Sequence, residues 1–389
     1  MAARKYCRQL DADILTDMVE IVHIPAPPFG EASRAAWIAE RFRQVGLQDV
    51  CTDEIGNVLA RLPGAANADD EPPVLLSAHL DTIFPAETRI QVKRNGKRIA
   101  APGIADNARG LAALVAIART LTSAPIPTFH PIVFAATVGE EGVGDLRGVK
   151  HLMRPGSPWR AAAAFITIDG TGRRRIVQRA IGSRRFAITF TGPGGHSWAD
   201  FGLANPIHAL GLAIGRLAEM DLARQPRVTL TVARIGGGTS VNAIPADAWL
   251  EIDLRSEAGS ALLDVEDKVR RIVAEAAEQT NGQRRRGTPA LQLEIRLIGD
   301  RPTGETPVNS GVIRAARAAT RVIGEHAELV ASSTDANVPI ALGIPAIAIG
   351  AGGESGGTHT LDEWYVNDGG VEGIERALLT LVGTAVVRG

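Results

Sequence analysis

The first half of the chain sets short, nearly unbroken apolar runs against stretches of helical period. Pro73 to Ala78, Ile132 to Val138 and Ala163 to Ile168 are apolar at almost every position, the pattern of strands covered on both faces. A further strand is predicted from Asn57 to Leu62. Between these, Asp11 to Val22, Ala32 to Val45 and Asn107 to Leu121 repeat apolar residues at helical spacing, and Gly46 stops the second. Strands alternating with helices in this way predict an α/β domain around a mostly parallel sheet.

The pattern changes near Ser183. Strands at Arg185–Thr191, Arg227–Arg234, Asp247–Arg255 and Leu291–Ile298 interleave with helices at Pro206–Met220 and Leu262–Gln279. That order, strand–helix–strand–strand–helix–strand, is ferredoxin-like. The α/β pattern resumes after Pro302, with a helix at Ser310–Gly324 and a strand at Ala346–Gly350. The expected organisation is a domain of residues 1–182 and 301–389 carrying an inserted α+β domain, 183–300.

Composition narrows the function by exclusion. A formal net charge of −1 and 4% aromatic residues supply neither the basic surface nor the stacking platforms of a nucleic-acid binder. Arg173–Arg175 and Arg284–Arg286 read as solvated loop tips. No run approaches the roughly 20 apolar residues of a membrane span, and no apolar signal core follows the N-terminus. The expected location is the cytoplasm, where Cys7 and Cys51 are free thiols.

The chemistry sits where the apolar runs stop. His79 and Asp81 follow one strand, Glu140 and Glu141 another, Asp169 a third; Asp106 opens a predicted helix, and His359 lies in a glycine-rich loop. Ends of parallel strands are where such folds bind ligands. Acidic groups and imidazoles gathered there repel unless cations neutralise them. Adjacent carboxylates at Glu140 and Glu141 allow one to ligate and the other to move protons. Nitrogen and oxygen donors without thiolate suit zinc, with cobalt or manganese as alternatives. Taken singly, Asp106 reads equally as a helix N-cap.

In this order the motifs resemble the dinuclear zinc peptidase and deacylase family of acetylornithine deacetylase, succinyl-diaminopimelate desuccinylase, glutamate carboxypeptidase and peptidase T. The resemblance covers nearly the whole chain. It implies a zinc-hydrolase catalytic domain with a ferredoxin-like lid and dimerisation domain, and a cis peptide at Asp106–Asn107. His79 and Asp169 would hold one metal, Glu141 and His359 the second, and Asp106 would bridge them. Two divalent ions bring +4 against −3 from Asp106, Glu141 and Asp169, and a bridging hydroxide, the nucleophile, takes the remainder. Asp81 would orient His79, and Glu140 would be the general base.

In the insertion, Gly192-Pro193-Gly194-Gly195-His196-Ser197 resembles the lid motif whose histidine reaches the partner subunit's site. Asn242 and Arg255 match substrate-contacting positions, and Ser332–Asn337 matches a substrate-side loop. Aspartate at position 169 resembles peptidase T, since the deacylases usually have glutamate. The expected activity is therefore amide hydrolysis on a short peptide or other small substrate, in a peptidase T-like homodimer. A deacylase or hydrolytic deaminase of a small nitrogen compound is the alternative, and a non-catalytic binding protein a remote one.

Overall fold

Four parallel strands form the centre of the largest sheet, in the order Ile132–Thr137, Val74–His79, Ala164–Ile168 and Ala346–Ile349. The computed structural model describes residues 2–65 and 70–386. On one side the sheet continues antiparallel through Val58–Leu62 and Gln48–Thr52. On the other, Arg175–Ala180 joins antiparallel, and Glu328–Ser332 pairs parallel with it. The architecture is mixed α/β with a mostly parallel central sheet.

Burial on both faces explains the unbroken apolar runs. Val74, Leu76, Ala78, Ile166 and Ile347 point into one core, covered by Asp11–Val22, Ala32–Gln44, Arg109–Ser123 and Gly370–Ala385. Leu75, Val133, Phe165 and Ala348 alternate into a thinner core with Val149, Leu152 and Ile340. With period 2 and two covered faces, the runs admit only the small buried hydroxyls of Ser77, Thr137 and Thr167 among their apolar side chains.

The chain divides into two compact units, residues 1–180 with 305–389 and residues 181–304. In the second, an antiparallel sheet runs in the order Val228–Gly237, Asp247–Ser256, Gly182–Thr191, Gln292–Arg301. Helices Pro206–Ala218 and Gly259–Gly282 cover one face, with Phe186, Ile188, Leu250 and Ile252 packed against Ala213, Leu217, Val269 and Val273. This is the ferredoxin-like element order.

Several elements have no clear sequence signal. Arg173–Arg175 is not a bare loop tip: Arg175 begins a strand, Arg173 pairs with Glu325 at 3.1 Å, and Arg174 pairs with Glu328 at 2.6 Å. A small antiparallel sheet, Glu354–Gly356, Trp364–Val366, Arg98–Ala100 and Lys93–Asn95, also lacks one. Among the described residues no helix is long and apolar enough to cross a membrane.

The C-terminal helix approaches the turn after Ala346–Ile349 backbone to backbone. A Cβ on Gly373 would lie 2.1 Å from the Cα of Gly352, itself at φ +77°. Gly373→Ala is therefore expected to destabilise the chain by about 1–3 kcal/mol, read as a lower midpoint in denaturant unfolding. An unchanged midpoint would mean the helix can move away freely.

Candidate metal centre

Strand register gathers the candidate residues. His79 stands opposite Thr137, Ser77 opposite Thr167, and Ile168 opposite Ile349. The strand ends at His79–Asp81, Gly139–Glu141 and Asp169 therefore meet at one sheet edge. Asp106 and His359 arrive from the small sheet, where Ala100 pairs with Trp364. His359 sits in the connecting loop with φ +67°, left-handed backbone uncommon outside glycine.

Asp106 is the centre of the arrangement. His79 Nε2 lies 3.0 Å from Asp106 Oδ1 and 4.0 Å from Asp169 Oδ1. His359 Nε2 lies 3.3 Å from Asp106 Oδ2 and 3.0 Å from Glu141 Oε1. Two donor groups, His79–Asp106–Asp169 and Asp106–Glu141–His359, each have ligand atoms within 4.8 Å of one another and share Asp106. His79, Glu140 and Glu141 form a third such group.

Local structure assigns the surrounding tasks. The helix N-terminus is capped by Asn107, not Asp106: Asn107 Oδ1 accepts the N–H of Gly110 at 3.1 Å, and its Nδ2 donates to Ile168 O at 2.9 Å. An irregular turn over Ile104–Ala108, with a cis Asp106–Asn107 peptide, delays regular helix to Arg109. His79 Nδ1 reaches the main-chain carbonyl of Asp81 at 3.0 Å, while the Asp81 carboxylate is 3.7 Å away. That carboxylate instead accepts the N–H groups of Glu140 at 2.9 Å and Glu141 at 2.8 Å, tying the two strand ends together. Donation from Nδ1 leaves Nε2 as the nitrogen facing the cluster. The glutamate turn needs Gly139, whose φ is +63° and whose Cβ would meet Arg147 at 2.6 Å.

Two further residues support the cluster. Glu363, fully buried, accepts the N–H groups of Gly103 at 3.1 Å, Ala105 at 2.7 Å and Asp106 at 3.0 Å. A lone glutamate before Trp364 carries no local sign of that role. Thr137 Oγ1 donates to buried Asp335 at 2.5 Å, which places the 332–337 loop beneath the cluster.

The electrostatics record crowding. Burial, then the charge of Asp106, pushes Asp169 up to about 7. Burial opposes ionisation of Asp106, yet hydrogen bonds from His359 and His79 hold its carboxyl well below the usual range. Contacts with Asp106 and then Glu141 raise His359 to about 10. Burial disfavours charge on His79, but Asp106 and Asp81 outweigh it and raise the imidazole well above its ordinary value. Crowded oxygen and imidazole donors of this kind fit divalent cations.

The second unit holds the other candidates. His196 Nδ1 accepts the N–H groups of Trp198 at 3.1 Å and Ala199 at 3.3 Å, so in the neutral ring Nε2 carries the hydrogen. Asn242 adjoins it, its carbonyl accepting the N–H of Ser197 at 3.0 Å. Arg255 does not join them. It stands near the far end of Asp247–Ser256, about 25 Å along the strand from Asp247, and donates to Asp253 at 2.6 Å.

The chain is similar to known proteins. The profile of Peptidase family M20/M25/M40 matches residues 75–384. The cytosol non-specific dipeptidase of Escherichia coli is 27% identical over 286 residues, 64% of this chain and 55% of that protein, so the match spans about half the relative's length. A putative succinyl-diaminopimelate desuccinylase of Mycobacterium tuberculosis is 28% identical over 285 residues, 72% of this chain and 74% of its own. A tripeptidase from Staphylococcus aureus shares the fold with a TM-score of 0.77 at 21% identity, covering 96% of this chain and 98% of its own.

Two outcomes are expected. Zinc uptake releases protons, because cations displace them from both imidazoles. Apparent affinity therefore rises with pH, more steeply below about 7, where Asp169 must also deprotonate, and flattens above about 10. Calorimetry in buffers of different ionisation enthalpy measures this, and uptake without proton release would contradict it. Glu363→Ala leaves three N–H groups without their acceptor and is expected to weaken zinc binding by about tenfold or more, measured by chelator competition.

Proposed function

The chain belongs to peptidase family M20/M25/M40 and is a metal-dependent hydrolase of amide bonds, and on that premise we propose that it is a dinuclear, peptidase T-like aminopeptidase of short peptides, working as a cytoplasmic homodimer. The observation that carries this reading is the Asp106 carboxylate, with one oxygen toward His79 and the other toward His359. His79 and Asp169 would hold one ion, Glu141 and His359 the other, with Asp106 shared between them; zinc is the proposed metal, with cobalt or manganese able to replace it. When bound, the ions polarise the amide carbonyl and acidify water toward neutral pH.

The chain's own residues do the rest. Glu140, its N–H fixed by Asp81, takes the proton of the attacking water and returns it to the leaving amine. Asp81 keeps His79 Nε2 turned toward the cluster through its main-chain carbonyl. His196 comes from the second copy, through a lid and dimerisation domain formed by residues 181–304, and its Nε2–H donates to the developing oxyanion. Asn242, beside it, contacts substrate. Arg255, whose partly exposed guanidinium is steadied by Asp253, pairs with a substrate carboxylate through its planar fork.

Aspartate rather than glutamate at position 169 supports the aminopeptidase branch, as does the dipeptidase name of the E. coli relative. The desuccinylase name of the M. tuberculosis relative favours a deacylase as the second reading.

Glu140→Ala is expected to retain its metal by elemental analysis while kcat falls by about 10²–10⁴. Turnover close to that of the parent protein would take Glu140 out of the base role. Tripeptides with a free N-terminus should be cleaved in preference to N-acyl amino acids. The reverse preference would replace the aminopeptidase reading with the deacylase one.

A further inference from the structure

Isolated exposed apolar residues are ordinary on any protein surface. Around this cluster they recur at a fixed offset. Ile83, Val143 and Leu361 are 38%, 74% and 65% exposed, and each stands two residues beyond a member of the cluster: Asp81, Glu141 and His359. All three are in loops leaving the sheet edge, within the same compact unit.

A fourth apolar side chain is held out by construction. Phe29 is 70% exposed with φ +71°, left-handed backbone that a bulky residue adopts only under strain. Its ring lies 4.8 Å from the Arg147 guanidinium. Arg147 in turn donates to Ile55 O at 2.9 Å and to Glu31 at 2.7 Å, and packs against Gly139, the residue before Glu140. The aromatic ring is thereby fixed in solvent beside the glutamate turn.

We propose that Phe29, Val143 and Leu361, with Ile83, form an apolar rim that receives an apolar side chain of the substrate next to the amide to be cleaved. This rests on the hydrolase reading above and narrows it to a substrate class. Covering these side chains removes apolar surface on both partners from water, and partial burial of one leucine-sized group gives about tenfold in kcat/KM. A charged substrate group at the same place gains no such burial.

The test uses the zinc-loaded full chain with Leu-Gly-Gly, Phe-Gly-Gly, Asp-Gly-Gly and Lys-Gly-Gly, and the corresponding N-acetyl amino acids. The apolar substrates should exceed the charged ones by about tenfold in kcat/KM. Val143→Asp and Phe29→Gly should each cut that ratio about threefold or more, mainly through KM for the apolar substrates. Phe29→Gly suits the left-handed backbone, so its melting temperature should be equal or higher. Charged substrates matching the apolar ones, or variants that lower every substrate by one factor, would overturn the rim and leave the hydrolase standing. Failure to cleave any amide in the panel would overturn the hydrolase reading, and the rim with it.

Discussion

Asp106 presents one carboxylate oxygen to His79 and the other to His359, and the remainder of the sheet edge is arranged around that pair of contacts. Asp169 and Glu141 stand outside the two imidazoles, so that anions and nitrogen bases alternate across the centre. Without positive charge the arrangement is unfavourable, as the elevation of Asp169 to about 7, by burial first and then by the charge of Asp106, records. Divalent cations relieve the repulsion by replacing protons, which couples metal binding to pH and to the integrity of the fold.

Geometry this tight depends on main-chain anchoring. Glu363 gathers three N–H groups around Asp106, Asp81 gathers those of Glu140 and Glu141, and Asn107 ties the helix start to the end of Ala164–Ile168. Each anchor joins segments far apart in sequence and fixes a backbone, so the ligand side chains inherit their positions. Asn107 also performs the capping that could have fallen to Asp106, leaving both oxygens of the aspartate for the cluster.

In the second unit the same economy gives His196 two features at once. Its Nδ1 closes a turn by accepting two N–H groups, and that contact makes Nε2 a hydrogen donor. The turn-capping contact and the proposed oxyanion role therefore require the same tautomer. Arg255 stands at the other end of the same unit's sheet, its guanidinium donating to Asp253.

Nearly unbroken apolar runs are the pattern of doubly covered strands, so His79, Glu140, Glu141 and Asp169 were visible as the charged and imidazole residues that ended them. The ordered series with Asp106 and His359 carried the family resemblance, because ligand chemistry constrains residue type as well as place. Glu363 and Phe29 left no such trace, and Asp335 stood in the 332–337 motif with no sign of its partner. Their roles come from backbone N–H groups more than 250 residues away, a threonine on another strand, and an arginine that holds a ring in solvent. Local patterning determined the strands and the donors at their ends; only chain folding decided which imidazoles share the Asp106 carboxylate, which side chain caps the helix, and what borders the site, because these are contacts between segments that the sequence keeps apart.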